Sequence, residues 1–315
     1  MNDLRRLASA LAVMLYSMLI LVPIGLATQR LILVTGPNPY DWTKSLSENY
    51  ISQNVLEFTL LQAVSSTLMT LIISLPIAWS LGRHRWPFES LIRTVLTLPF
   101  VIPSIIAAMG ILTIVGPYGL DIRANEGTWW WTLIISHAWF NMALIIRFCE
   151  PLLSKLDPDM EEQLRLLPHG RTRASRLKNL WIPLLLPSVV AAACMTFVFS
   201  FTSFALVRWI TVRDNTLESV MAEVSSSAGI QGYMEPTSDI VMGASLIQFT
   251  ILLTSLWLTS VIQRDRKAIL PQARPEHVRK PNSRGWLVIV PALIFAVLPL
   301  ISVVIGSFRI RDLGE

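Results

Sequence analysis

The chain has 315 residues, of which 53% are hydrophobic and 15% are charged, and its formal net charge is +5. Because soluble domains carry about 25% charged residues, this composition and a mean hydropathy of +0.54 argue against a soluble enzyme and indicate a protein embedded in a lipid bilayer. In such a protein the positive charge sets orientation, so we do not expect nucleic-acid binding. Cys149 and Cys194 lie inside apolar stretches, and no disulfide framework is expected.

Long apolar segments follow one another along the chain. A helix needs about 20 mainly apolar residues to cross a hydrocarbon core of about 30 Å. Seven segments meet this requirement, which predicts an all-α, polytopic transmembrane helical bundle with about seven spans: residues 8–28, 56–82, 91–116, 129–151, 181–207, 239–262 and 285–308.

The basic residues predict the direction of these spans. If the N-terminus is cytoplasmic, nineteen of the 26 lysines and arginines fall on the inner side, as the positive-inside rule requires. The apolar run of the first span is too long for the core of an ordinary signal peptide. We therefore interpret it as a span.

The spacing of the spans divides the chain into four segments. The outer connections, at about 29–55, 117–128 and 208–238, are rich in Gly, Pro, Asn and acidic residues and are predicted to be surface loops. The predicted divisions are residues 1–55 (first span and outer loop), 56–262 (core, with a cytoplasmic loop at 152–180), 263–284 (a basic, proline-containing linker) and 285–315 (seventh span).

The inner loop between the fourth and fifth spans contains a predicted amphipathic helix. Met160, Leu164 and Leu167 are spaced so that they share one helical face, and Pro168 and Gly170 are expected to end the helix. Its apolar stripe fits a groove on a soluble partner. It equally fits a helix that lies on lipid headgroups, and periodicity alone leaves both interpretations open.

This loop resembles the cytoplasmic coupling loop of binding-protein-dependent ABC importer permeases. The loop of that family reads Glu-Ala-Ala, three residues, Gly, nine residues, Ile, one residue, Leu-Pro. Here Gly170 precedes Pro183 by the same spacing, with Leu180 in place of the isoleucine and Ile182 in place of the leucine. The Glu-Ala-Ala positions hold residues 164–166 instead, Leu-Arg-Leu.

Other segments resemble the same family in the same order. These segments look most like those of the ferric-iron, thiamine and related permeases, many of which fuse two permease halves in one chain. The span that starts at Gly285 looks like the beginning of such a second half. The segments that carry the resemblance are Leu60–Phe88, Leu98–Gly116, Ile135–Phe148 and Phe199–Val207.

The resemblance implies a function, a location and a set of partners. It implies a multi-pass permease subunit of the bacterial inner membrane that moves a small solute inward. The implied partners are an ABC ATPase subunit dimer, a second permease half and an extracytoplasmic solute-binding protein that docks on the outer loops. The second half could be another copy of this chain, a fused segment or a separate chain. The residues implied to couple to the ATPase are Met160, Glu161, Glu162, Leu164, Arg165, Leu167, Gly170 and Pro183.

Several polar residues and prolines within the spans are candidates for a translocation path. The alternative is structural, because small polar side chains also allow close helix packing and hydrogen bonds between helices, and prolines form permanent kinks. The candidates are Ser66, Pro103, His137, Asn141, Ser200 and Ser203.

The sequence contains no phosphate-binding loop of the G-x-x-x-x-G-K-[ST] type, no metal-ligand spacing and no hydrolase elbow. We therefore expect no catalytic residue, metal or cofactor in this chain, with ATP hydrolysis on a separate subunit. The alternative function is a secondary transporter driven by an ion gradient, which would need carboxylates at the span centres. A membrane-embedded enzyme would need converging His, Asp or Glu side chains.

Overall fold

The computed structural model describes residues 2–35, 53–116, 119–120, 127–155, 158–167, 172–211, 215–227, 235–264 and 280–308. Within these ranges the chain is almost entirely helical. The helices are α1 (Asn2–Thr35), α2 (Gln53–Arg83), α3 (Glu89–Val101), α4 (Ser104–Val115), α5 (Thr128–Lys155), α6 (Pro158–Leu166), α7 (Arg173–Arg176, continued by a π-helical turn at Leu177–Trp181), α8 (Ile182–Phe201), α9 (Ala205–Ile210), α10 (Leu217–Ser227), α11 (Glu235–Arg264) and α12 (Ser283–Ser307).

The lengths and hydropathies of these helices confirm the predicted bundle of about seven spans. In the described part of the chain, α1, α2, α5, α8, α11 and α12 are each long and apolar enough to cross a membrane, and α3 with α4 provides a seventh candidate. Helices suit this environment because they satisfy their own backbone hydrogen bonds where lipid offers no partner.

The third span is not one continuous helix. The axes of α3 and α4 differ by 98°, so the segment predicted as one span at 91–116 consists of two helices joined at a sharp bend. The break falls at Ile102, whose backbone is extended (φ −78°, ψ 141°), because a residue before proline disfavours the helical region. Pro103 then precedes the first turn of α4. Pro76 and Pro99, by contrast, lie inside α2 and α3.

The fifth span also ends earlier than its apolar sequence predicted. Helix α8 stops at Phe201, and α9 starts only at Ala205, so the predicted end at residue 207 is wrong. The hydroxyl of Thr202 donates to the carbonyl of Val198 at 2.9 Å, which gives the last turn a local side-chain partner. The connection at 208–238, predicted to be an outer loop, contains α10.

One compact unit comprises residues 57–219 and 250–315, and α5 lies at its centre. Within α5, 72% of the most apolar window is buried, against 22% for α12. The largest core cluster includes Leu96 of α3, Met142 and Ile145 of α5, and Ala296 of α12. The bundle is therefore packed around α5.

Helix α12 packs closely on α4 within this unit. A Cβ at Gly110 would overlap the carbonyl oxygen of Pro299, so only glycine allows this approach. The hydroxyl of Ser302 donates to the carbonyl of Gly110 at 2.7 Å, and the indole of Trp139 donates to the carbonyl of Ala296 at 3.2 Å. The seventh span thus packs as a full member of the described bundle.

The other unit comprises residues 1–56 and 220–249. Here Val220 packs with Val55 and Val241, and the hydroxyl of Ser245 donates to the carbonyl of Val241 at 2.6 Å. The apolar window of α1, Ser9–Leu26, contains no buried residue. Such a helix requires lipid or another protein surface as its environment. Most of the predicted linker, at 265–279, lies outside the described residues.

Candidate functional site: a surface helix, its anchor and a polar core

The predicted surface helix is α6. It starts at Pro158, a residue whose fixed φ and missing N–H suit the first helical position. Leu166 is 87% exposed and Leu167, just after the helix, is 54% exposed, whereas Leu164 is half-buried and Arg165 is exposed. The helix therefore presents apolar side chains away from its own bundle.

The other predicted coupling residues lie within α6 or after it along the chain. Met160, Glu161 and Glu162 belong to α6, and the Glu162 side chain is exposed. Pro183 is exposed in the first turn of α8. Gly170 lies outside the described residues.

A tightly packed cluster anchors both ends of the α6 loop. Leu153, near the end of α5, and Trp181, just before α8, pack against each other and are 2% and 4% exposed. The Trp79 ring of α2 lies 4.4 Å from the Trp181 ring, and the Arg83 guanidinium lies 4.8 Å from its centroid, as in a cation–π contact. We call these residues, together with Gly82, the Trp181 clamp.

Gly82 brings α2 and α5 close together at this clamp. A Cβ on Gly82 would lie 2.5 Å from the Leu153 Cβ and 2.9 Å from the Glu150 carbonyl. Since ordinary carbon contacts are 3.5–4.0 Å, the site has no room for a side chain. The residues that flank α6 are thus held on a rigid base made by α2, α5 and α8.

Four of the six predicted path residues meet in a polar core between α2, α5 and α8. The Ser66 hydroxyl lies 3.1 Å from His137 Nδ1, and Asn141 Nδ2 donates to Ser200 Oγ at 3.2 Å. Gln62, which the sequence analysis did not single out, donates to the Ser200 carbonyl at 2.8 Å. Its position four residues before Ser66, on the same helical face, was the available signal.

The polar core is shielded by its own bundle. All five side chains are at most 1% exposed, and the interhelical hydrogen bonds of the structural alternative are present. Gln62 Oε1, His137 Nε2 and Asn141 Oδ1 are buried and have no hydrogen-bond partner among the described residues. The two remaining candidates lie elsewhere: Pro103 is exposed and Ser203 is half-buried, each at a break between helices.

A charged pair links α3 to α5 near the clamp. Arg93 Nη2 lies 2.6 Å from Glu150 Oε1. The pair borders a cleft of about 720 Å³ that Arg147 also lines. Among the described residues, no three His, Cys, Asp or Glu side chains converge as a metal site would require.

Comparison with known proteins identifies the family to which this arrangement belongs. The chain is 28% identical over 160 residues to the sulfate transport system permease protein CysT of Salmonella typhimurium, covering 48% of this chain and 56% of the relative. It is 25% identical over 284 residues to the thiamine transport system permease protein ThiP of Brucella abortus, and the match covers 83% of this chain and 50% of the relative. The chain thus spans about half the length of these two relatives.

A shorter relative matches over nearly its whole length. The molybdenum transport system permease protein ModB of Haemophilus influenzae is 26% identical over 219 residues, covering 67% of this chain and 95% of the relative. Residues 71–311 match the family described as binding-protein-dependent transport system inner membrane component. Since this match covers most of the chain, including α6, the clamp and most of the polar core, the chain belongs to the family of binding-protein-dependent transport system inner membrane components.

Proposed function

We propose that this chain is one permease half of an ATP-driven importer and that a separate ABC ATPase dimer docks on α6. A second permease half completes the path, and an extracytoplasmic solute-binding protein delivers a small solute. The observation that carries this proposal is α6 itself, a short helix with exposed leucines whose two flanks meet in the Trp181 clamp.

The charge of α6 favours a protein partner over a lipid surface. The helix contains Asp159, Glu161 and Glu162 but only one basic residue, Arg165. Helices that lie on membranes are rich in Lys and Arg, because the headgroups at the inner surface carry net negative charge. An acidic helix with exposed Leu166 suits a groove in a soluble subunit.

The clamp gives the docked ATPase a mechanical hold on the bundle. Because Leu153 precedes α6 and Trp181 follows it, a displacement of α6 acts on the ends of α5 and α8 together. Trp79 and Gly82 extend the same packing to α2. Closure of the ATPase then shifts the permease between two states, provided that the closed ATPase binds one state more tightly.

The polar core and the helix breaks have different roles in this proposal. Ser66, His137, Asn141 and Ser200 are enclosed by α2, α5 and α8, so their main role is to hold these helices in register. Pro103 and Ser203 lie at irregular backbone, which is tolerated at membrane depth only when protein covers it or when it lines a water-filled cavity. We assign the wall of the path to these two breaks, facing the second permease half.

The experiment replaces two exposed leucines, Leu166 at the end of α6 and Leu167 just after it, in the affinity-tagged chain, expressed in its native membrane. Leu166→Ser with Leu167→Ser should reduce the amount of ATPase that co-purifies by about tenfold, the effect of about 1.4 kcal/mol. The matched control is Leu33→Ser, since Leu33 in α1 is 78% exposed. Equal ATPase recovery from the doubly substituted protein and the control would refute docking on α6.

A further inference from the structure

The ion pair between Arg93 and Glu150 joins two helices with different roles. Arg93 Nη2 also lies 2.5 Å from Glu89 Oε1 on its own helix. The Glu150 side chain is only 9% exposed, whereas that of Arg93 is 43% exposed. A buried carboxylate depends on its cation, because separation leaves an uncompensated charge in a medium of low dielectric constant. The pair therefore resists separation of α3 from α5.

Helix α3 has one packed face and one face with space beside it. Ile92 and Leu96 are buried in the main core. In contrast, Arg93, Thr94 and Thr97 line the cleft of about 720 Å³, whose other wall includes Arg147 and Glu150 of α5. Since apolar contacts are non-directional, they permit small sliding movements of α3. The ion pair fixes one point on it.

Glu150 belongs to the same stretch of α5 that holds α6. Its carbonyl borders Gly82, and Leu153, one turn later, packs on Trp181. From Arg93, α3 runs on to Val101, where the 98° bend into α4 begins. The ion pair thus lies between the Trp181 clamp, which holds the flanks of α6, and the bend between α3 and α4.

We infer that the Arg93–Glu150 ion pair transmits the displacement of α6 to α3 and to its bend into α4. Arg93 and Glu150 are then positioning residues for transport and not ligands of the solute. This inference rests on the proposed ATPase coupling. When the clamp moves, Glu150 moves with it. Arg93 and α3 follow in the same direction, because separation of the ion pair would leave the buried Glu150 carboxylate without its cation. The adjoining cleft provides the space for that movement.

A thiol reporter at the end of α3 measures this movement without knowledge of the solute. Val101 is 75% exposed, and Val101→Cys places a reactive thiol there. Cys194→Ala removes the partly exposed native thiol, while Cys149 is buried and stays. The labelling rate with N-ethylmaleimide, a small reagent that reaches thiols facing detergent as well as water, is measured on the transporter co-purified with its ATPase, before and after trapping with Mg-ATP and vanadate.

The substitutions distinguish the effect of breaking the ion pair from the effect of removing any charge that lines the cleft. Arg93→Gln and Glu150→Gln should each reduce the trapping-induced change in labelling rate at least fivefold, the lower end of typical coupling between sites. The matched control, Arg147→Gln, removes the same charge from the same cleft and should retain the change. The exchange Arg93→Glu with Glu150→Arg, made with Glu89→Gln to avoid repulsion, should restore the change to the level of Glu89→Gln alone.

The outcomes distinguish this inference from the proposed function. If the ATPase does not co-purify with the unsubstituted chain, the proposed function fails first. If it co-purifies but trapping leaves the reporter unchanged, or changes it equally in Arg93→Gln and in the unsubstituted protein, transmission through the pair is refuted. An equal loss in Arg147→Gln would also refute it. Should Glu150→Gln not assemble, Arg93→Gln decides, because Arg93 lies at the partly exposed end of the pair.

Discussion

The substitution Gly82→Ala tests the rigidity of the Trp181 clamp. The new Cβ would lie 2.5 Å from the Leu153 Cβ and 2.9 Å from the Glu150 carbonyl oxygen. Neither neighbour is the flexible end of a side chain, so a rotamer change cannot relieve the overlap. To reach an ordinary contact of about 3.5–4.0 Å, the ends of α2 and α5 must separate by about 1–1.5 Å.

The expected loss of stability follows from this overlap. Overpacking of this kind costs about 1–3 kcal/mol, and the higher helix propensity of alanine returns about 0.5–1 kcal/mol. The net destabilisation is then about 0–2.5 kcal/mol, which corresponds to a fall of up to roughly 10 °C in the midpoint of thermal unfolding. Because Leu153 also holds α6, the ATPase activity of the complex should fall as well.

The assay is thermal unfolding of the purified protein in detergent, in which the fraction that remains folded after heating is measured by size-exclusion chromatography. The matched control is Gly25→Ala in α1, where nothing lies within 4 Å of the new Cβ, and its midpoint should stay equal or rise. If Gly82→Ala and Gly25→Ala have the same midpoint, the close packing of α2 on α5 at the Trp181 clamp is refuted.

Three further experiments test the bundle. Gly110→Ala should destabilise by about 1–3 kcal/mol because the methyl group meets the backbone of α12. Gly306→Ala, whose Cβ meets only ordinary contacts at 3.5 Å, should be neutral by the same unfolding assay. Trp139→Phe should cost about 0.5–1.5 kcal/mol through the lost hydrogen bond to α12, and an unchanged midpoint would contradict that bond. A double-mutant cycle of Asn141→Ala with Ser200→Ala should give a coupling of about 0.6 kcal/mol, whereas additive effects would refute the hydrogen bond between these two side chains.

The local features of this fold could be predicted from the sequence. Span positions followed from the length of the apolar runs, because the thickness of the bilayer fixes how many residues a helix needs. Helix α6 followed from the periodicity of Met160, Leu164 and Leu167, together with the break signals of Pro168 and Gly170. Each of these signals lies within a few residues of the feature it predicts.

The features that the sequence did not predict depend on contacts between distant residues. Glu150 pairs with Arg93, 57 positions away. No local sequence pattern indicates that Arg93, and not the nearby Arg147, is the partner of Glu150. The end of α8 lacks a Gly or Pro signal. Helix α10 begins where the backbone of Leu217 donates to the Thr59 hydroxyl of α2 at 3.1 Å. Such contacts follow from the packed bundle and leave no periodic mark in the sequence.

The most direct test of the account is photo-crosslinking from Leu166, which is 87% exposed at the end of α6. A photoreactive amino acid at this position, in the assembled transporter in its own membrane, should yield a covalent adduct with a nucleotide-binding subunit, identified by mass spectrometry. The same probe at Leu33 of α1 should not. Adducts of position 166 with lipid alone, or with a protein on the outer side of the membrane, would contradict the account.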